Sequence, residues 1–179
     1  MNKTVEFILK RRSVRNFLDK MISEEELQTI IKCGLYAPSA KNRQNWHFTV
    51  IKDKEKIDEI SQQAVEGMKK IGLEKADDCH IFYHAPLVIV ISSKLEGYSE
   101  INAGCVVENM AIAAKSMGIG SCIIGQTRYL YQQAPKADVN SLLKIPNNYE
   151  HDVSICFGYP NEEEKDAHPR KEKVVDYIR

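Results

Sequence analysis

The chain has no long apolar run, no net charge and no paired cysteine motif, and each absence excludes a class of protein. No stretch approaches the roughly 20 apolar residues that span a bilayer, and the N-terminus does not have the apolar core of a signal peptide. Basic and acidic residues number 25 each, whereas a nucleic-acid surface usually needs a broad basic excess. The five cysteines are scattered without a Cys-x-x-Cys pair, which argues against a disulfide framework and a structural zinc site. We expect a protein of the reducing cytoplasm that binds neither nucleic acid nor membrane.

The common catalytic fingerprints are also missing. The sequence has no G-x-S-x-G, no G-x-G-x-x-G after a strand and no G-x-x-x-x-G-K-[ST], the motifs of a nucleophile elbow, a dinucleotide fold and a phosphate loop. His80 and His84 are one helical turn apart, but no third ligand type clusters with them and Pro86 follows, so we expect no metal site there. The sequence therefore indicates neither a protein nucleophile nor a metal centre.

The order of the predicted elements favours one α+β domain over residues 1–179. A chain of 179 residues with 43% hydrophobic side chains can bury a sizeable core. Helices and strands interleave without a regular βαβ rhythm, and two helices precede the first strand, which predicts a central sheet flanked by helices. The strand order cannot be read from this pattern.

Local signals fix several element boundaries. Ser23 and Glu26 form a capping box at the start of the second helix, and Pro38 prevents that helix from continuing. Residues 86–92 are continuously apolar, which is typical of a strand covered on both faces, and residues 101–117 read as a buried central helix. The other predicted elements are helices over about 4–12, 54–70 and 138–143, and strands over 47–52, 121–124 and 152–157.

Three arginines and a serine lie within residues 11–15, which we call the arginine segment. Each arginine presents a planar fork of donors that fits phosphate oxygens and stays charged. In a chain without net charge this local concentration suggests a small phosphorylated ligand. The alternative is a solvated helix end whose cations interact with the helix dipole.

A second polar segment, residues 37–46, connects a helix to a strand, and we call its residues 38–45 the amide loop. Asn42 and Gln44 carry amides that can pair with the edge of a heterocycle, and Ser39 adds a hydroxyl. The alternative is an ordinary turn whose polar side chains satisfy their own backbone.

Two further segments have equally open readings. Residues 168–171 could supply a distant phosphate ligand or merely balance the acidic residues 162–164. Gly125, just past a strand, could allow a ligand ring to approach the backbone closely or simply turn the chain.

Taken in order, these segments resemble the nitroreductase family of FMN-dependent flavoproteins. The resemblance runs from about residue 7 to 177, and its motifs are specific for the family but not for a substrate. It implies an α+β fold with a central, mainly antiparallel sheet flanked by helices, which forms an intertwined homodimer with two FMN molecules at the subunit interface. The motifs that carry it are R-R-S-x-R (11–15), A-P-S-A-x-N-x-Q-x-W (37–46), M-G-I-G-S (117–121), G-Y-P (158–160) and P-R-K (169–171).

The resemblance also implies roles for individual residues. The group around the FMN phosphate and ribityl chain corresponds to Arg11, Arg12, Ser13 and Arg15, with Arg170 as the distant phosphate ligand and His168 beside it. The flavin and ribityl contacts correspond to Asn42 and Gln44. The stretch that reaches the ring from the partner subunit corresponds to Pro38, Ser39 and Ala40. The strand end near the ring corresponds to Ile124 and Gly125.

The chain departs from the family pattern in three places. Asn45 stands where proline is common, which predicts a less rigid loop. Ile124 stands where many members have glutamate, which would place an apolar neighbour near the ring. Little sequence lies between residues 70 and 86 for the inserted helices of larger members.

The implied activity is the transfer of a hydride from NADH or NADPH through the flavin to an electrophilic acceptor such as a nitroaromatic or a quinone. The flavin would carry the chemistry, so no protein residue is assigned a catalytic role. Alternatives are a slow flavin-binding or redox-sensing module, and an interaction protein whose arginines meet an acidic partner. Reductive dehalogenases and flavin-destroying enzymes share the fold, but nothing in this sequence favours them. The sequence does not identify the donor nucleotide or the physiological acceptor.

Overall fold

The centre of the molecule is a four-stranded antiparallel sheet. The structure, a computed structural model, describes residues 1–73, 76 and 78–179. The strands run in the order β1-β2-β4-β3, and every pairing is antiparallel. This confirms the predicted α+β class and supplies the strand order. The strands are β1 (Trp46–Ile51), β2 (Leu87–Lys94), β3 (Gly120–Ile124) and β4 (Tyr149–Gly158).

Helices cover both faces of the sheet. The capping box is present: Glu26 N–H donates to Ser23 Oγ at 3.2 Å, and Ser23 N–H donates to Glu26 Oε2 at 2.7 Å. The helix predicted over 54–70 has those bounds, whereas the central helix and the last strand begin two and three residues earlier than predicted. The helices are α1 (Lys3–Lys10), α2 (Glu24–Leu35), α3 (Lys54–Lys70), α4 (Ser99–Ser116), α5 (Leu130–Gln133) and α6 (Lys136–Leu142).

Two parts of the chain differ from or escape the predictions. The 3-10 turn Gln126–Tyr129 and helix α5 were not predicted, because this polar stretch has no apolar periodicity. The predicted short connection between residues 70 and 86 includes residues 74, 75 and 77, which lie outside the described residues. Its described residues contain turns and no helix.

Strand β2 divides the interior into two cores. Val88 and Val90 pack with α3 and the segment 81–85, whereas Leu87, Ile89 and Ile91 pack with α2 and α4. Alternating side chains of one strand therefore enter opposite layers, as expected for a strand covered on both faces. Within the part of the chain that the structure describes, every helix is too short or too polar to span a membrane.

The arginine segment is attached to the start of β3. Ser13 forms a parallel bridge with Ser121, and Val14 N–H donates to Ser121 O at 2.9 Å. A Cβ placed on Gly120 would approach the Val14 side chain to 2.9 Å, so the glycine permits this close contact. The segment is thereby held against an edge strand of the sheet.

Candidate functional site

The arginine segment lies beside the start of β3, where Ser13 bridges Ser121 and Val14 N–H donates to Ser121 O. Burial raises the pKa of Cys122, the next residue of β3, whereas the charge of Arg15, the Ser13 hydroxyl and the charge of Arg11 lower it. Two guanidinium groups and one hydroxyl therefore lie near the start of β3, and we call Arg11, Ser13 and Arg15 the anion group. Such a set suits a phosphate-sized anion.

Glu108 in α4 contacts the first member of the anion group. Arg11 Nε donates to Glu108 Oε1 at 3.1 Å, and the two side chains are 26% and 42% exposed. Among the described residues, the two Nη groups of Arg11 make no hydrogen bond, which leaves them available to an anion. Glu108 was not predicted, because 97 residues separate it from Arg11.

Arg15 is held by a carboxylate and a ring. Its backbone N–H donates to Glu162 Oε1 at 2.9 Å, and its guanidinium Cζ lies 5.8 Å from the centre of the Tyr83 ring. Hydrogen bonding to Tyr83 raises the pKa of Arg15, so its charge is secure. Glu162 and Tyr83 were also missed by the sequence analysis, which had no signal for contacts this distant.

Arg12 forms hydrogen bonds at the C-terminal end of the neighbouring helix α1. Its Nη1 donates to Leu9 O at 2.8 Å and also to Arg11 O. Carbonyl oxygens at a helix C-terminus need such donors, so Arg12 caps α1. This is the helix-end reading given above as the alternative, and it applies to this one arginine of the segment.

A pocket of about 250 Å³ adjoins the arginine segment. The acidic residues 162–164 partly balance the positive charges around the pocket. Lys115 Nζ lies 3.0 Å from Glu164 Oε1. Basic and acidic side chains therefore share this surface. Its lining residues include Lys10, Arg11, Arg12, Lys115 and Glu162.

The amide loop has a strained but internally bonded backbone. Lys41, Asn42 and Gln44 have φ values of 56°, 52° and 49°, the left-handed region that side chains disfavour. Gln44 N–H donates to Ser39 Oγ at 3.0 Å, and Gln44 Nε2 donates to Asn42 Oδ1 at 2.9 Å. Asn42 and Gln44 are exposed, and Pro38 before them is also exposed. The loop presents its amides outward in one arrangement.

The arginine segment and the amide loop lie at opposite ends of the sheet. Trp46, just after the loop, pairs with Ser93 near the end of β2. Ser121, which bridges the arginine segment, pairs with Phe157 of β4. Phe157 pairs in turn with Leu87 at the start of β2. Strand β2 advances roughly 20 Å from Leu87 to Ser93. Because β1 and β3 are the outer strands, about 14 Å of sheet width adds to this separation. One chain does not bring the two predicted parts of the site together.

The other predicted site residues lie at the end of β3 and in the C-terminal segment. The Ile124 side chain is buried at 2% exposure within the core, so it faces the interior. Gly125 is exposed, and a Cβ placed there would meet no atom within 4 Å. Arg170 Nη1 donates to His168 O at 2.8 Å. Within the described chain, neither His168 nor Arg170 bonds to the anion group.

The histidine pair has a third neighbour that the sequence did not reveal. Asp58 Oδ1 lies 3.1 Å from His80 Nε2, and His84 is part of the same cluster, so the expectation of no third ligand type was wrong. His80 Nδ1 accepts the N–H groups of Phe82 and His84 at 3.2 Å and 3.1 Å. A neutral ring that accepts through Nδ1 carries its proton on Nε2, which donates to Asp58. In this tautomer the three side chains form a hydrogen-bonded cluster beside α3.

Comparison with known proteins assigns the chain to a family. The model of the Nitroreductase family matches residues 8–159. The chain belongs to this family. It is 32% identical to an NADPH-flavin oxidoreductase of Vibrio harveyi, over 90% of this chain and 68% of that protein. The predicted resemblance is thus confirmed.

Solved structures of the family show the same fold. A nitroreductase with bound FMN from Desulfitobacterium hafniense superposes with a TM-score of 0.90 at 28% identity, covering 100% of both chains. A nitroreductase with bound FMN from Bacteroides fragilis has a TM-score of 0.89 at 26% identity, again over 100% of both chains. The predicted nitroreductase-like fold is confirmed.

Proposed function

We propose that this protein is an FMN-dependent oxidoreductase that uses NADH or NADPH and reduces an electrophilic acceptor such as a nitroaromatic or a quinone. The observation that carries the proposal is the anion group, Arg11, Ser13 and Arg15, which the bridge from Ser13 to Ser121 places beside the start of β3. Family membership, the relative named NADPH-flavin oxidoreductase and the FMN-bound neighbours support it.

The residues present fit both the phosphate and the ring of FMN. Arg11 and Arg15 offer charge and donors to the phosphate, and Ser13 adds a hydroxyl. Gly125 has no side chain to block a flat ring at the end of β3. Arg12 is left out of the binding group because it caps α1. When bound, FMN supplies the hydride chemistry, while the protein binds and orients the cofactor and substrates.

We further propose that each FMN is held by two copies of the chain. The separation of the anion group from the amide loop requires the loop, residues 38–45, to come from a partner. Exposed apolar side chains on α1, including Ile8 at 47% and Leu9 at 56% exposure, support a homodimer. The C-terminal segment exposes a further set, namely Val174, Val175, Tyr177 and Ile178. His168 and Arg170 would meet the phosphate in that assembly.

A visible spectrum followed by an anaerobic titration tests the proposal. The protein, purified without added cofactor, is expected to be yellow and to bleach with NADH or NADPH. Steady-state oxidation of the nucleotide with an added quinone should then follow. A yellow protein without turnover would indicate a flavin-binding or redox-sensing module, and a colourless protein that takes up no FMN would contradict the flavoenzyme. The cytoplasm stays the predicted compartment.

A further inference from the structure

Asn102 is a buried amide on a largely apolar helix face, whose other buried polar residue is Ser99. It lies in the first turns of α4 and is 5% exposed. A buried amide without hydrogen bonds costs about 1–3 kcal/mol in proteins, so its partners show what it stabilises. The buried residues that follow it along α4 are Ala103, Val106, Val107, Met110, Ala111 and Ala114.

The Asn102 side chain reaches both ends of the amide loop. Its Oδ1 accepts the N–H of Ala40 at 3.1 Å, and its Nδ2 lies 3.5 Å from Asn45 Oδ1. Asn45 in turn donates from Nδ2 to Lys94 O at 3.2 Å. One buried side chain thus ties the entry and the exit of the loop to the central helix.

The loop needs such an anchor because its own bonds do not fix its position. Three left-handed residues store backbone strain, which persists only where the surroundings hold it. The bond from Gln44 N–H to Ser39 Oγ closes the loop on itself but attaches it to nothing else. The pair of Arg43 and Glu96 at 2.6 Å is exposed, and exposed pairs contribute little. Lys94 N–H donates to Asn45 O at 3.1 Å at the loop exit, so Asn102 is the buried side chain that holds the loop entry.

We propose that Asn102 is a positioning residue that sets the amide loop for its contact with the flavin. This inference rests on the proposed function and assigns the role to a residue that touches the loop rather than the cofactor. Because Asn102 occupies the Ala40 N–H, the outward groups of Ser39, Asn42 and Gln44 are presented in a fixed arrangement. Without the bond to Asn102 the same side chains are present, but their positions are no longer fixed.

The test compares variants at two asparagines of the same helix. Asn102→Leu removes both contacts to the loop, whereas Asn102→Asp keeps the acceptor for Ala40 N–H. Asn109→Leu is the matched control, because Asn109 Nδ2 donates to Cys33 O at 3.2 Å and so holds α2 instead. The readouts are the FMN dissociation constant, the visible circular dichroism of bound flavin and the unfolding midpoint of the apoprotein. We expect Asn102→Leu to weaken FMN binding about tenfold and to change the dichroism.

The outcomes separate this inference from the proposed function. Asn102→Asp, which keeps only the acceptor for Ala40 N–H, should retain more FMN affinity than Asn102→Leu, and Asn109→Leu should lower the unfolding midpoint without altering the flavin spectrum. Parent affinity and spectrum in Asn102→Leu, or equal flavin changes in Asn109→Leu, would overturn the role of Asn102 alone. A parent protein that binds no FMN would overturn the proposed function and this inference with it.

If Asn102→Leu does not fold, the same bond can be removed from the loop side, at the half-buried Ala40. Ala40→Pro deletes the N–H donor, and Ser39 before it has the extended backbone, φ −136° and ψ 150°, that proline tolerates. The same loss of FMN affinity and change in dichroism are expected. An unchanged spectrum in Ala40→Pro would overturn the inference.

Discussion

Arg11 donates from Nε to Glu108 Oε1 at 3.1 Å, so a carboxylate on the central helix orients one arginine of the anion group. The same carboxylate places a negative charge close to the proposed phosphate site. These two effects act in opposite directions, and a glutamine at this position separates them, because its amide oxygen can still accept the bond.

Glu108→Gln should therefore tighten FMN binding about two- to fivefold, the range of a partly exposed charge interaction. The measurement is a fluorescence titration of the apoprotein with FMN at low and high salt, and the gain should shrink at high salt. Glu55→Gln, a charge removal at the start of α3, is the control. Weaker binding by Glu108→Gln would show that the charge of Glu108 supports the site.

Single arginine substitutions should distinguish cofactor ligands from the helix cap. Arg11→Ala and Arg15→Ala are each expected to weaken FMN binding at least tenfold, because each removes a charged hydrogen-bond donor. Arg12→Ala should instead lower the free energy of unfolding by about 1 kcal/mol and leave FMN affinity near that of the parent. Tight FMN retention by both Arg11→Ala and Arg15→Ala would exclude the anion group as the phosphate site.

Stability should fall in mild acid because the half-buried His151 ring is neutral. Burial lowers the pKa of His151 from 6.5 to about 4, and its Nε2 lies 3.2 Å from Ser154 Oγ. The unfolded chain takes up this proton first as pH falls, so the contribution is present above pH 6.5 and is lost between pH 6.5 and about 4. The loss amounts to about 3 kcal/mol at most.

Urea unfolding at several pH values measures this loss. His151→Gln should show a smaller decrease between pH 6.5 and 4.5 than the parent does. His168→Gln, at an exposed position of the C-terminal segment, should follow the parent curve. Identical slopes for the parent and His151→Gln would contradict the assignment to His151.

Mixing two defective variants tests whether one site draws on two chains. Arg15→Ala damages the anion group and Gln44→Ala damages the amide loop. In a mixed dimer both defects fall in one site and the other site is intact. Mixed samples should therefore recover FMN at an occupancy that neither variant reaches alone. A mixture of Arg11→Ala with Arg15→Ala should not recover, since every site then lacks one arginine. Failure of the first mixture to recover would contradict a shared site.

Local signals in the sequence were sufficient for most elements of the fold. The capping box of Ser23 and Glu26, the apolar run of β2 and the amphipathic pattern of α3 each depend on near neighbours, and all three predictions are confirmed. The family motifs likewise predicted the fold. The assignment of the site residues to FMN, including Ile124, stays a prediction.

The parts that escaped prediction depend on contacts between distant residues. The arginines at 11, 12 and 15 look equivalent in the sequence, but an extended backbone sends alternate side chains to opposite sides. That alternation sends Arg12 to the end of α1. Asp58 joins His80 only after α3 packs beside the turn, so no spacing rule could find it. Asn102 gave a weak signal, as a polar residue in an apolar helix, but its partner could not be inferred.

The distance between the anion group and the amide loop has a consequence for how the protein is loaded. If each site is completed by a second chain, cofactor uptake and assembly are thermodynamically linked, so each favours the other. Occupancy then depends on total chain concentration as well as on FMN. A dilute or newly synthesised chain would hold only half of each contact set, and the yellow colour of a preparation would report its state of association.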